Sequence, residues 1–273
     1  MSKNPVEVIF LGTGSAIPMA GNSNSSYLVR LASETLLIDC GPTILQQLDA
    51  IGFSPSQITH VFFTHRHGDH ALGYPMLMLW YQLNAGPGIR PPVLIGSERT
   101  LIALDDYMQV AYGDIGDIPK AAPRIALPTD QPAQTRIHPH IMLRTWPMNH
   151  GDFAPVLGLR IDTRAPYFSG ASLAFTGDTG PCENILPLAQ DVDLLVHEAD
   201  LCATIHPHFV NGAFGHSTAQ MAGRNAKAAH AKHLALTHID FVYHGQEQTL
   251  IEEAQHEFEG RVSAPIPGVV YTV

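Results

Sequence analysis

Basic residues are scarce in this chain. Fifteen lysines and arginines stand against 25 aspartates and glutamates, a formal net charge of −10 with histidine neutral. A protein that binds nucleic acid regardless of sequence usually carries a basic surface, so the balance argues against such a partner. Cysteine is scarcer still. Cys40, Cys182 and Cys202 form no C-x-x-C pair and no even framework, which excludes a thiolate metal site and fits a reducing, cytoplasmic compartment. Long apolar runs are missing too. The longest apolar region, residues 71–83, contains Gly73 and Pro75 and is too short to span a bilayer. The N-terminal run Val8 to Leu11 follows Glu7 and stops at Gly12, so it reads as a first strand and not a signal peptide. A soluble protein without a membrane partner is expected.

What remains is 45% apolar and 15% charged, enough for a substantial core in a 273-residue chain. It is also rich in histidine, with 16 residues, and imidazole is the commonest metal ligand. VEVIFLG reads as a strand running into a glycine-rich turn, and SYLVRL and TLLIDCG as the next two strands. GPTILQQLDAIG has helical spacing, with Pro42 at the first helical position and Gly52 as the stop. Five later segments share a design: HVFFTH, LRTWPMNH, SLAFTGD, DLLVHEAD and HLALTH. Each is an apolar run fit for a strand buried on both faces, and each ends in a His, Asp or Glu. Sites in layered α/β proteins form at the carboxyl ends of strands, so these residues are expected to converge. The likeness of THVFFTH and AKHLALTH hints at two similar halves. Residues 84–147 are rich in proline and glycine around one helical stretch, TLIALDDYMQVAY. A single domain over 1–273 is expected, with an elaboration at about 84–147.

His65-x-His67-x-Asp69-His70 is the densest chemistry in the chain. Alternate residues of an extended segment project to one side, so His65 and His67 can grip one ion. Asp69 and His70 follow the turn at Gly68 and suit a second. Imidazole and carboxylate ligation without thiolate favours zinc, with manganese or iron also compatible.

T-H-x-H-x-D-H, a downstream histidine, a G-D-T aspartate and a final T-H resemble the metallo-β-lactamase superfamily over nearly the whole chain. The resemblance implies an α/β fold, a four-layer αβ/βα sandwich with a di-metal site at one edge of two facing sheets. It implies that His65, His67 and His150 hold one ion, that Asp69, His70 and His238 hold the other, and that Asp178 bridges them. Asp39 in LLIDCG matches the early aspartate that buttresses such sites. The expected chemistry is hydrolysis by a hydroxide bridging the two metals, since bound zinc lowers the pKa of water from about 15.7 to about 7, with Asp69 orienting the nucleophile.

LGTGSAIP, LLVHEAD and GHSTAQ further resemble the branch containing RNase Z, the transfer-RNA 3′ endonuclease, and related phosphodiesterases. In that branch a Glu–His pair assists protonation of the leaving oxygen, and Glu198 and His216 match it. Ser217-x-x-Gln220 reads as a capping box that would hold His216 at a helix entrance. Two departures set this chain apart. The 27 residues 151–177 between His150 and Asp178 leave no room for a transfer-RNA-binding arm. The last motif is THIDFVYHG, without the serine and arginine of T-H-F-S-x-R-Y. The reading is a di-metal hydrolase acting on a small phosphodiester, a cyclic one included. The alternatives are a lactonase or arylsulfatase of the same fold, RNase Z itself, and a metal-binding sensor without turnover. A homodimer is compatible with the branch. His206 and His208, on the IHPH segment between Glu198 and His216, either contact substrate or decorate a proline-fixed loop. Met76, Met78, Trp80 and Tyr81 are either pocket wall or core, and Gly12 to Ser15 could turn backbone N–H groups toward the metals.

Overall fold

The computed structural model describes residues 4–273. Side-chain alternation along strand β1 (Val6–Gly12) sets its layers. Val6, Val8 and Phe10 enter one apolar cluster, while Ile9 and Leu11 enter another on the opposite face. A strand with both faces buried needs cover on both sides. A second sheet supplies one cover and a layer of helices the other.

The first sheet comprises β1, β2 (Ser26–Leu31), β3 (Glu34–Ile38), β4 (His60–Phe62), β5 (Val93–Ser97) and β6 (Arg124–Leu127). The second comprises β7 (Ala133–His138), β8 (Ile141–Met148), β9 (Val156–Thr163), β10 (Ser172–Phe175), β11 (Leu194–Glu198), β12 (His233–Thr237) and β13 (Arg261–Ser263). The chain then returns to the first sheet as β14 (Val270–Thr272), beside β1. Phe10, Leu36, Phe62, Leu143, Leu159, Phe175 and Val196 meet in the core between the sheets. Helices α1 (Ile44–Ala50), α3 (Tyr74–Leu83) and α4 (Glu98–Ala111) cover the first sheet's outer face through Leu48, Leu77, Tyr81 and Leu104. Helices α6 (Ile185–Ala189), α7 (Ala219–Ala228) and α8 (Glu247–Gln255) cover the second through Leu188, Ala222 and Leu250. The result is the four-layer αβ/βα sandwich expected from the sequence. Two short helices, α2 (Gly68–Ala71) and α5 (Asp117–Ala121), complete the set. Among the described residues no helix is long and apolar enough to cross a membrane.

Both sheets follow one pairing pattern. Across β14-β1-β2-β3-β4-β5-β6, and across β7-β8-β9-β10-β11-β12-β13, three antiparallel pairs are followed by three parallel ones. The equivalent strands are therefore β3 and β10, which lead to Asp39 and Asp178. The similar segments THVFFTH and AKHLALTH lie on β4 and β12, the fifth and sixth strands of their sheets, so their likeness does not mark equivalent positions. Residues 84–147 enter both sheets, as β5 and β6 in one and β7 with most of β8 in the other.

Local signals set the element ends with small displacements. Helix α1 begins at Ile44, behind its cap Thr43, two residues after Pro42. It ends where Gly52 takes φ +66° and Phe53 N–H returns to the Leu48 carbonyl, the left-handed stop that glycine favours. On the other side of the molecule, α7 and α8 touch backbone to backbone at Gly223, where an added Cβ would lie 2.4 Å from the Ala254 carbonyl oxygen. Gly223→Val should therefore push the two helices apart and cost about 1–3 kcal/mol. Thermal unfolding measures this, and an unchanged Tm would show that the contact is not tight.

Candidate metal centre

The ends of β4, β8, β10 and β12 deliver their polar residues to one place. The candidate ligand atoms of His65, His67, His150 and Asp178 all lie within 4.8 Å of one another, and so do those of Asp69, His70, Asp178 and His238. Asp178 belongs to both groups. Its Oδ2 lies 3.6 Å from His65 Nε2 and 3.3 Å from His70 Nε2, and its Oδ1 3.3 Å from His238 Nε2. Asp69 Oδ2 approaches His70 Nε2 at 3.1 Å and His238 Nε2 at 3.4 Å.

Neighbouring groups fix which ring nitrogen faces the centre. Asp39 accepts hydrogen bonds from the Thr64 N–H at 2.8 Å and the Thr64 hydroxyl at 2.8 Å, and its Oδ2 lies 2.8 Å from His70 Nδ1. Nδ1–H of His70 therefore donates to the carboxylate, which turns Nε2 toward the centre. The Thr64 hydroxyl, having given its proton to Asp39, accepts from His65 Nδ1 at 3.0 Å, which again leaves Nε2 inward. His150 Nδ1 donates to the Gly215 carbonyl at 3.0 Å. Such outer partners set imidazole tautomer and orientation in metal sites. Asp39 and His238 hold left-handed φ values of +60° and +53°, a strain that concentrates at functional positions.

Charge is distributed unevenly. Burial opposes a proton on His70, but the carboxylates of Asp178, Asp69 and Asp39 outweigh it and hold its pKa well above the usual value. Burial likewise opposes the charge of His238, and Asp178, Asp200 and Asp69 raise it well above. Burial, then the charge of His70, push His65 well below. Burial, then His150, lower His67. The carboxyls of Asp69 and Asp178 are pulled down by these histidines, although burial works the other way. The carboxylate set thus attracts positive charge, which protons supply in the metal-free chain.

The residues fit divalent cations. The donors are imidazole nitrogens and carboxylate oxygens. Among the described residues, His65 Nε2 and Asp178 Oδ1 are buried without a hydrogen-bond partner, a costly condition unless a ligand completes them.

Beside the clusters, Glu198 Oε1 lies 2.9 Å from His216 Nδ1. The same carboxylate accepts the N–H groups of Thr179, Asp200 and Ser217 at 2.9, 3.1 and 3.1 Å, so it is rigidly placed. Burial would lower the pKa of His216, but the charge and hydrogen bond of Glu198 outweigh that and push it up to about 9.

Some expectations need correction. The cap of α7 is Thr218, whose side chain accepts from Met221 N–H, and not Ser217. Ser217 is otherwise engaged, its hydroxyl donating to the Thr179 carbonyl at 2.6 Å and its N–H to Glu198. The N–H groups of Thr13, Gly14 and Ser15 bind Asn22, Ser23 and Ile239, so they are not turned to the metals. His206 pairs with the Tyr243 hydroxyl at 2.8 Å and His208 is exposed against Phe209; neither was expected as a metal ligand and neither joins the clusters. Met78 and Tyr81 are core, while Met76 is exposed. One residue of the site was missed. Asp200, the last letter of DLLVHEAD, groups with His216 and His238 and lies 3.4 Å from His238 Nδ1. Its position at the end of an acidic strand motif was the available signal.

Stripped of metal, the protein should be most stable near pH 6.5. His70, His238 and His216 have raised folded pKa values. Their contribution is full below about 6.5 and is lost as pH rises through the folded values. His65 and His67 are lowered, so stability also falls below about 6.5, where the unfolded chain takes protons that the folded site refuses. Thermal melts of chelator-treated protein measure this. A Tm climbing steadily from pH 6.5 to 9 would contradict it.

The chain is similar to known proteins over most of its length. The family described as anti-Pycsar protein Apyc1 matches residues 6–211. A ribonuclease Z of Mycobacterium avium (strain 104) is 32% identical, over 94% of this chain and 94% of its own. The metallo-β-lactamase fold protein YhfI from Bacillus subtilis superposes with a TM-score of 0.79 at 24% identity, covering 99% of this chain and 100% of its own. Human tRNase Z, short form, gives 0.75 at 24% identity, covering 97% and 98%. The chain belongs to the Apyc1 family, among the RNase Z-like, metal-dependent hydrolases of the metallo-β-lactamase superfamily.

Proposed function

We propose that the protein is a two-metal hydrolase of small phosphodiesters. In this reading His65, His67, His150 and Asp178 hold one divalent cation, and Asp69, His70, His238 and Asp178 hold the other. The carrying observation is that Asp178 belongs to both ligand groups. Zinc suits the donor set best, with manganese and iron compatible. Bound there, such a pair of cations supplies Lewis acidity and a water acidified to a pKa near 7.

The chain's own residues do the rest. Asp69, at the inner edge of the second group, orients the nucleophile. His216, held by Glu198, gives its proton to the leaving oxygen, and the three backbone N–H groups on Glu198 keep the pair from rotating. Asp39 holds His70 and, through Thr64, His65.

Two features favour a small substrate. Among the described residues, the ion-pair partners of Asp39, Asp69, Asp178, Asp200 and Glu198 are all histidines, with no lysine or arginine. The acids of the site therefore bring no lysine or arginine with them to meet a polyanion. Residues 151–177 are taken up by β9, β10 and their short connections. The curated relatives named ribonuclease Z favour a second reading, an RNA substrate. Cleavage of precursor transfer RNA at physiological salt, without turnover of small diesters, would establish it.

The primary test is a panel on metal-loaded protein: bis-p-nitrophenyl phosphate, cyclic nucleotides, an acyl-homoserine lactone and an aryl sulfate. Fast lactone opening with no diester turnover would sink the proposal. His216→Ala should lower kcat on an alkyl diester by roughly 10²–10⁴ and lower it far less on p-nitrophenyl esters, whose leaving group needs no proton. Metal content should stay unchanged. An equal loss on both substrates would remove His216 as the proton donor.

A further inference from the structure

Ala213 and His216 close a two-residue hairpin, with His216 N–H on the Ala213 carbonyl at 2.8 Å and Ala213 N–H on the His216 carbonyl at 3.3 Å. Its two central residues, Phe214 and Gly215, both have positive φ, +54° and +76°. That is the pattern of a type I′ turn, where asparagine and glycine are favoured and a bulky side chain is strained. Gly215 has a reason to be there, since a Cβ would lie 2.8 Å from the His150 carbonyl carbon. Phe214 has no such reason. It is 71% exposed, so it gains little from burial, and among the described residues its one ring neighbour is Phe209 at 6.2 Å.

A second exposed aromatic stands on the adjoining loop. Phe153 is 54% exposed and its ring lies 5.5 Å from that of His150. The two loops are tied together, because His150 Nδ1 donates to the Gly215 carbonyl and the His150 and His216 rings are 4.8 Å apart. Strained or exposed at no gain in stability, the two phenylalanines thus flank the residues assigned to metal binding and proton donation.

We infer that Phe214 and Phe153 form a stacking subsite for a planar ring carried by the phosphodiester, either an aryl group or a nucleobase. Phenyl rings stack on any flat π-face, and the hairpin holds Phe214 beside the leaving-group side of the site, next to His216. The inference rests on the phosphodiester reading above and adds a selection rule to it. Diesters with a ring should be preferred over those with alkyl groups alone.

The test compares Phe214→Asn and Phe153→Ala with the wild type in the metal-loaded protein. Three substrates serve: bis-p-nitrophenyl phosphate, a cyclic nucleotide, and a cyclic alkylene phosphate without any ring system of π-electrons. Phe214→Asn relieves the turn, so its Tm should hold or rise. KM for the ring-bearing substrates should rise about tenfold relative to the alkyl one. The two ring-bearing arms report whether the subsite takes the aryl group, the base, or both. A KM that changes equally on all three substrates, or on none, overturns the subsite while leaving the hydrolase reading intact. Wild-type protein that turns over no diester at all overturns both.

Discussion

Everything in this molecule turns on a buried carboxylate whose ion-pair partners, among the described residues, are all histidines. Asp178 is 2% exposed and is reached by imidazoles from three separate strand ends and one helix. An ionised carboxyl at such depth is costly unless it is paired. Its surroundings offer only histidines, whose charge depends on protons or on their standing aside for metal. The same balance that makes the site unsatisfied in the bare chain makes it a receptor for divalent cations.

That demand reaches outward through the fold. The central core between the sheets brings the ends of β3, β4, β8, β10 and β12 to a single edge, and side chains one step removed then set ring orientation. Asp39 governs His70 directly and His65 through Thr64. Gly215 governs His150 from the hairpin that also carries Phe214. The orientation of His65, His70 and His150 is thereby coupled to the turn that carries Phe214 in one small region. Left-handed backbone at Asp39, His238 and Phe214 shows where local strain is held by that packing.

Much of the fold was legible because strand burial writes itself into composition. Continuous apolar runs such as LLVHE read as strands covered on both sides, and they form strands. The histidine and aspartate motifs were legible for the same reason, since they sit where those runs stop. Local rules failed where a distant group competed. Ser217 had the right sequence for a cap, but Thr179 and Glu198, 38 and 19 residues away, claim its hydroxyl and its N–H. Thr218 took the cap instead. The N–H groups after β1 were likewise claimed by Asn22, Ser23 and Ile239. The likeness of THVFFTH to AKHLALTH misled because the repeated architecture lies in strand pairing, which short segments do not record.

By itself, the sequence determined the candidate ligand types and their grouping at strand ends, because these follow from residue identity and period. Only the tertiary structure decided that Asp178 belongs to both candidate ligand groups, that Asp200 faces His238, and that Phe214 stands exposed on the turn beside His216. Those facts depend on distances between residues tens to hundreds of positions apart. Packing of two sheets and the helices that cover them sets such distances, and no local propensity encodes them.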